Sequence, residues 1–210
     1  MATAAYLTGR KRYQRPQAIL WSENPGTLVD GLYVPNGYEV GQASEGALES
    51  EIDQFLILSD HNRSPMDFNP QRIEQRQRTI NGRMRSYHIA DKLSMSVSWN
   101  MIPSRSYYTV AEFDANGESP NKNQIGEFTS DGGAGGSQIL DWYENHKGSF
   151  WMFLAYDKYN NFGSDSAAFG HLAQYNQIME VYIADFNYSV VKRGGNNFDF
   201  WNISVTLEEV

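Results

Sequence analysis

The chain has 210 residues, a formal net charge of −8 and no cysteine. This length allows one large domain with its own core, and the lack of cysteine excludes both a disulfide framework and a thiolate metal site. No apolar run approaches the roughly 18–20 residues needed to cross a bilayer, and the N-terminus lacks the order of a signal peptide. We therefore expect a protein without a membrane segment that folds in a reducing cytoplasm.

The charge is spread unevenly along the chain. Residues 1–85 hold ten Lys or Arg and ten Asp or Glu, whereas residues 86–210 hold seven and fifteen. The acidic half is either an ordinary solubilising surface, or a surface or lumen that repels nucleic acid or meets a basic patch on a neighbour. General DNA binding is not expected, because it needs basic charge facing phosphate.

The first 70 residues divide into a basic arm and a few short elements. Residues 1–16 form an arm that is either frayed or laid on a neighbouring subunit. Residues 17–21 predict a short apolar strand, and residues 27–34 predict a strand with a glycine bulge. Residues 49–58 have helical apolar spacing, although their FLIL segment also suits a strand. We divide the chain into residues 1–70, an N-terminal arm and extension, and residues 71–210, the main domain.

Residues 71–89 predict a β-hairpin around Asn81-Gly82. Neither face of this hairpin is clearly apolar, so core burial does not stabilise it. It is either a solvated hairpin or a protruding arm whose arginines pair with carboxylates on a neighbouring subunit, a role that the planar guanidinium suits. The candidate subunit-interface residues are Arg72, Arg76, Arg78, Arg83 and Arg85.

Residues 91–103 form the clearest predicted strand of the chain. Its apolar positions are Leu93, Met95, Val97, Trp99 and Met101, and they alternate with Ser94, Ser96, Ser98 and Asn100. A period of two places the apolar side chains on one face and the small polar side chains on the other. Pro103 ends the run. We expect a long strand laid against the main core.

The next segments predict a strand, a loop and a helix. Residues 104–113 continue as a strand, and the glycines of residues 132–136 form a flexible hinge. A helix begins at Ser137, which caps it, with Asp141 near its positive end. Gly148 takes the left-handed position after the helix.

The last third of the chain predicts three strands. Residues 149–156 are apolar on both faces and form a central strand that the helix covers. Residues 157–177 form a long loop, of a length that is usually functional or held by a partner. Residues 178–191 and 198–207 form a closing hairpin.

No motif in the sequence supports catalysis or a cofactor. The four histidines are scattered, and residues 114–118 lack the distal Glu of a calcium loop. The glycine-rich segment before the helix lacks the lysine of a phosphate-binding loop, and no nucleophile motif is present. We predict no catalytic, metal-binding or cofactor-binding residue, and a protein that is not an enzyme.

Three segments resemble structural tail proteins of tailed bacteriophages, of the tail-tube, distal-tail or baseplate-hub type. They are RTINGRMRSYHIADKLSMSVSWNMIPSRS, GGSQILDWYENHKGSFWMFLAYD and NFDFWNISVTLEEV. The resemblance covers roughly residues 70–210. It implies a mainly β protein, with a β-sandwich or barrel of tail-tube type, one flanking short helix, long loops and a protruding hairpin.

The resemblance also implies an assembly. Such subunits close into homo-oligomeric rings, usually hexameric, that stack around a lumen through which DNA passes without specific binding. Their other partners are neighbouring tail or baseplate proteins, and their location is the virion tail after synthesis in the host bacterial cytoplasm.

Two further hypotheses belong to different classes. The first is a carbohydrate-binding β-sandwich module for host-receptor recognition, because Trp and Tyr with Asn and Asp line sugar clefts. The second is a glycan-cleaving enzyme, which requires two carboxylates at a suitable separation.

Overall fold

The computed structural model describes residues 18–29, 32–34, 55–109, 125–131, 133–155, 175, 177–193 and 198–210. Its strands are β1 (Ile19–Ser22), β2 (Thr27–Val29), β3 (Leu32–Val34), β4 (Phe55–Ile57), β5 (Asp67–Arg78), β6 (Met84–Pro103), β7 (Tyr107–Thr109), β8 (Ile125–Glu127), β9 (Phe150–Leu154), β10 (Gln177–Arg193) and β11 (Asp199–Glu209). Its helix is α1 (Gly136–Asn145).

Seven of these strands form one antiparallel sheet in the order β4-β1-β9-β10-β11-β6-β5. The pairs β2–β3 and β7–β8 form two small additional sheets. The prediction of a mainly β fold with one short flanking helix is therefore confirmed for the described residues.

The large sheet is rolled. This follows from the path of the chain, which passes from one edge of the sheet to the other within a few residues. Leu58 continues β4, and its N–H donates to the carbonyl of Ile19 in β1. Five residues later, Arg63 pairs with Trp99 on the β5 side of β6. In a flat sheet these two positions would lie six strand spacings apart, about 29 Å, whereas five residues reach at most about 18 Å. The sheet must curl, as a barrel-like fold requires.

The concave side of the rolled sheet is the core. Met95, Val97 and Trp99 of β6 are buried there, opposite apolar residues of β11. Helix α1 covers this side, with its Trp142 ring 6.2 Å from the ring of Trp21.

The predicted alternation of β6 is confirmed from Leu93 to Trp99 but is wrong at Met101, because a register shift after Trp99 puts Ile102 in the next buried position and Met101 has φ +57°. The covering of β9 by the helix is confirmed, with the Trp142 ring 5.8 Å from that of Phe150.

A buried carboxylate joins the two segments that cross this core. Asp131 accepts hydrogen bonds from Ser59 Oγ at 2.6 Å, from the N–H of Asp60 at 2.7 Å and from the N–H of Gly133 at 3.0 Å. Trp99 Nε1 donates to the carbonyl of Ser59 at 2.7 Å. The residues that follow β4 are thus held both to β6 and to the segment before α1.

Gly133 and Gly135, which precede α1, are tightly packed, so the prediction of a flexible hinge was wrong for them. A Cβ on Gly133 would lie 2.6 Å from Ser59 Cα, and a Cβ on Gly135 would lie 2.6 Å from the carbonyl carbon of Arg105. Only a residue without a side chain allows these backbones to approach so closely. The local sequence showed the missing side chains but not the backbones that take their place.

Both ends of the helix also differ from the prediction. The N-cap is Gly135, whose N–H donates to the side chain of Gln138, while the Ser137 hydroxyl donates to the carbonyl of Ser104 instead. No acidic residue lies in the first turn. At the other end the C-cap is His146, not a left-handed Gly148, and its ring stacks on Trp142 with centroids 3.7 Å apart.

Two predicted strands have different extents in the structure. Residues 27–34 contain two paired strands, β2 and β3, instead of one bulged strand. Residues 91–103 are the second part of the 20-residue β6. The FLIL segment forms β4, so its strand reading is right. The loop predicted at residues 157–177 lies almost entirely outside the described residues.

The proposed division after residue 70 remains a prediction. Strands β1 and β4 precede it and pair within the same sheet as the later strands, and β5 begins at Asp67. The predicted arm, residues 1–16, lies outside the described residues.

Candidate interaction surfaces

The convex side of the sheet carries a field of small polar side chains, which we call the hydroxyl face. Cross-strand neighbours share a face, so the register defines its rows across β10, β11, β6 and β5. The rows are Tyr182, Glu208, Ser94 and Asn69; Asp185, Thr206, Ser96 and Asp67; Asn187, Ser204 and Ser98; and Ser189 and Asn202. These side chains are exposed or half-buried.

The hydroxyl face is acidic. Its rows contain the carboxylates of Asp67, Asp185 and Glu208. The hydrogen bond that Tyr182 donates to Glu208 raises the pKa of the tyrosine, so its hydroxyl stays protonated. At the border of the face, Lys92 donates to the carbonyl of Val210. The rows therefore present hydroxyls, amides and negative charge.

Two long strand edges flank this face. Among the described residues, β5 pairs only with β6, so the other edge of Asp67–Arg78 is open. In the described part of the chain, β10 pairs with β9 only over residues 177–181, so no strand pairs with its edge over residues 182–193, although β3 lies close to β10. Each open edge is 12 residues long. Exposed edges of this length are ready to pair with another strand.

Beyond the hydroxyl face, β5 and β6 continue as a two-stranded ribbon formed by residues 71–92. Strand β11 accompanies β6 only from Ser94 onward. The turn that closes the ribbon contains Asn81 and Gly82, with Gly82 at φ +74°, and the Gly82 N–H donates to the carbonyl of Thr79. The predicted protruding hairpin is confirmed.

A β-bulge at Ile89 decides which residues share each side of the ribbon. Ile73 pairs with Ala90 and Glu74 with His88, so β6 has one extra residue between them. Beyond the bulge, the odd-numbered residues of β6 leave the core side and join the side of the hydroxyl face. Tyr87 therefore lies on the same side as Ile73, and Ser86 lies on the opposite side.

The core side of the ribbon is a network of ion pairs. Arg72 Nε lies 3.0 Å from Asp91 Oδ1, His88 Nε2 lies 3.1 Å from the same oxygen, and Arg76 Nε lies 2.6 Å from Glu74 Oε1. The hydrogen bond that Arg72 donates to Asp91 lowers the pKa of Asp91 and raises the pKa of Arg72. A hydrogen bond from Ser86, followed by that from Arg76, lowers the pKa of Glu74.

The five candidate interface arginines fall into two groups. Arg72 and Arg76 already pair with carboxylates of their own ribbon. The other three form no ion pair with any described residue and lie at the end of the ribbon; they are Arg78, Arg83 and Arg85. Their role in subunit contacts stays a prediction.

At the opposite end of the sheet, on its core side, four rings form what we call the aromatic row. Tyr143 of α1 stacks on Phe186 at 4.4 Å and 6°, and Tyr188 stacks on Trp201 at 5.5 Å and 22°. The Phe186 and Tyr188 rings are 6.1 Å apart. Tyr188 is 52% exposed and the adjoining Val190 53%.

Sequence reasoning missed the aromatic row. The alternation of Phe186, Tyr188 and Val190 on one strand was a usable signal. A bulge between Ile183 and Asp185 determines on which side of the sheet these residues lie. No pattern in the sequence predicts this bulge.

The described residues show no candidate metal site. Within them, no group of three or more His, Asp or Glu is placed to hold a metal ion. In the same part of the chain, no helix is long and apolar enough to cross a membrane.

Comparison with known proteins gave a likeness of structure but no match of sequence. No family model matches the chain, and no curated protein matches it. A solved structure described as "Tail of empty GTA particle computed with helical refinement, C6 symmetry" aligns with a TM-score of 0.37 and 7% identity, over 75% of this chain and 82% of that one.

Proposed function

We propose that this chain is a structural subunit of a bacteriophage-type tail, and that its copies close into a ring around a lumen lined by the hydroxyl face. The observation that carries this proposal is the pair of open strand edges on the two flanks of that face. The resemblance of residues 70–210 to tail proteins supports it from the sequence. A role as tube, distal-tail or hub protein is equally compatible with these features.

The strand directions suit closure by rotation. The hydroxyl face spans four antiparallel strands in the order β10-β11-β6-β5, so β5 and β10 run in opposite directions. Rotation about an axis preserves each strand's direction relative to that axis. The β5 edge of one copy therefore meets the β10 edge of the next as an antiparallel pair. Such a head-to-tail contact forms a closed ring when the rotation between neighbouring copies is a whole fraction of a full turn.

The positions of the two edges require a stagger between copies. Asp67 lies in the same row as Asp185, and from this row the two open edges extend mostly in opposite directions along the strands. Neighbouring copies must shift along the strand direction for the edges to overlap. A barrel made of tilted strands imposes this shift.

The chemistry of the hydroxyl face suits contact with passing DNA. A sixfold ring of four-stranded units has a wall of 24 strands, whose circumference at about 4.8 Å per strand corresponds to a diameter of about 37 Å, and more if the strands tilt. Carboxylates on the wall repel phosphate, so DNA moves through without sticking. Ser, Thr and Asn keep the wall wetted between these charges.

Single-cysteine labelling tests the ring and its orientation together. The chain has no native cysteine, so Ser96→Cys places one thiol on the hydroxyl face and Glu144→Cys places one on the exposed side of α1. After reaction with a maleimide gold cluster, negative-stain images should show gold inside the central hole for Ser96→Cys. The Glu144→Cys control should show gold at the periphery.

Two results contradict the proposal. A purified protein that remains monomeric across the micromolar range in light scattering has no ring. Rings that carry the Ser96→Cys gold on their outside would show that the hydroxyl face does not line the lumen.

The second candidate function, a carbohydrate-binding module, is favoured by one observation, the exposed aromatic row. Stacked rings with free faces are the usual platform for sugars. It predicts glycan retention that falls when Tyr188 is replaced by Ala, from a protein that does not form rings.

A further inference from the structure

We infer that the aromatic row is the docking site for the ribbon of a second copy of this chain. This inference rests on the proposed function and adds to it the contact that joins one copy to another along the strand direction.

The first argument is position. The ribbon leaves the sheet beyond the row of Ser94 and Glu208, whereas Tyr188 and Trp201 lie near the other end of the same strands. Copies stacked along the strands therefore bring the ribbon of one against the aromatic row of the next. A contact between two different surfaces of identical chains repeats without limit unless it is blocked.

The second argument is the face that each surface presents. The aromatic row is on the core side of its sheet, where Gly136 at the start of α1 packs against Trp201 and Tyr143 of α1 stacks on Phe186, while Tyr188 stays 52% exposed. A ribbon that laps over this side turns its hydroxyl-face side toward the row. Because of the bulge at Ile89, that is the side that holds Ile73 and Tyr87, which are 46% and 78% exposed.

The third argument is what each surface lacks on its own. A two-stranded ribbon with no core contact is marginally stable in water, so its apolar side chains need a covering surface. At the other end of the sheet, Tyr188 stacks on Trp201, yet Tyr188 and Val190 remain 52% and 53% exposed. Tyrosine and branched aliphatic side chains on both surfaces allow close packing, since a rigid ring loses little conformational entropy.

The fourth argument is charge. Beside the row, α1 presents the exposed carboxylates of Asp141 and Glu144. The ribbon carries Arg83 and Arg85 without an ion pair among the described residues, and Arg85 is on the side that faces the row. Lys147 Nζ lies 5.1 Å from the ring centroid of Tyr143, and Lys192 Nζ lies 5.1 Å from that of Phe200, so both are placed over rings and not beside these carboxylates. The second copy therefore supplies the guanidinium groups that suit these carboxylates.

Cross-linking between two differently labelled chains tests the contact directly. One preparation carries Tyr87→Cys and the other Val190→Cys, and every disulfide joins two copies because each chain has one thiol. The matched control replaces Tyr87→Cys with Ser86→Cys, the adjacent residue on the other side of the ribbon. At about 10 µM protein, docking at a millimolar effective concentration should make the Tyr87–Val190 disulfide form about 100-fold faster than the control.

The outcomes separate the two levels of proposal. Rapid Tyr87–Val190 cross-linking with a slow control supports the inference. Rings without this cross-link, or with equal rates for both pairs, overturn the inference and leave the proposed function standing. A monomeric protein that binds glycan through Tyr188 and forms no cross-link overturns both.

Discussion

The packed glycines before α1 give the sharpest test of how the helix is held on the sheet. At Gly135 an added Cβ would lie 2.6 Å from the carbonyl carbon of Arg105, 2.7 Å from the carbonyl oxygen of Pro103 and 2.8 Å from Arg105 Cα. All three atoms belong to the backbone of another segment, so no side-chain rotation relieves the collision. Gly135 has φ −88°, which any residue adopts, so Gly135→Ala isolates this collision from backbone strain.

The magnitude follows from the cost of overpacking. Inserting a methyl group where the surroundings cannot yield costs about 1–3 kcal/mol. For a chain of this length, a loss of about 2 kcal/mol lowers Tm by about 4–8 °C. Gly148→Ala is the matched control, because nothing lies within 4 Å of its added Cβ. It should leave Tm unchanged or raise it slightly by restricting the unfolded chain.

Thermal unfolding of both variants and the wild type at one protein concentration measures the difference. A fixed concentration is needed because assembly adds stability that depends on concentration. A Gly135→Ala protein whose Tm stays within about 1 °C of wild type would show that the crossing relaxes freely, as a hinge does. Equal losses in the two variants would show that the collision is not the cause.

Three further outcomes are expected. Asp131→Asn should lower stability by about 1–3 kcal/mol in thermal unfolding, since an amide cannot accept from all three buried donors, whereas Asp141→Asn on the exposed side of α1 should not. Ser86→Ala should raise the pKa of Glu74 in a carboxyl NMR titration, because it removes a hydrogen bond that lowers this pKa. Since the pKa of Glu74 is lower in the folded state, its carboxylate stabilises the fold above the ordinary pKa of 4.5, and this stabilisation is lost as pH falls through the folded pKa. Replacing the unpaired arginines by Ala should reduce assembly in light scattering without lowering Tm, and an equal loss of both would reject their interface role; they are Arg78, Arg83 and Arg85.

The sequence predicted the parts of the fold that local patterns determine. The alternation from Leu93 to Trp99 predicted both the buried side and the hydroxyl side of β6, but the same pattern placed Met101 wrongly, because a register shift follows Trp99. Asn81-Gly82 predicted the hairpin because few other dipeptides suit a tight turn. The predictions were wrong where contacts with a segment that is distant in sequence determine the local structure. Gly133 is packed because Ser59, which is far away in sequence, lies against it.

The sequence indicated which residue types the candidate surfaces carry, but in the ribbon and the aromatic row it did not predict on which side of each strand those residues lie. The ribbon arginines were visible in the sequence, yet only the register shows that Arg72 and Arg76 pair within the ribbon while others do not. The bulges near Ile89 and Ala184 shift each strand by one residue relative to its partner. No local signal marks either bulge, and each one determines the side on which aromatic residues lie.

The bulge at Ile89 allows β6 both to fill the core with one side and to place Tyr87 away from the ion pairs of the ribbon. An unbroken strand could not do both. From Leu93 to Trp99 the odd-numbered residues must be apolar, because they face the core. An unbroken alternation would place Tyr87 on the same side of the ribbon as the Arg72–Asp91 ion pair, where charged groups occupy the surface. The extra residue at Ile89 moves Tyr87 to the side of Ile73 and leaves the ion pairs together. Deleting Ile89 should therefore preserve the core pairing of β6 with β11 while exchanging the two sides of the distal part of β6. In the cross-linking experiment, Ser86→Cys should then react with Val190→Cys faster than Tyr87→Cys does, and an unchanged order of rates would contradict the role given to the bulge.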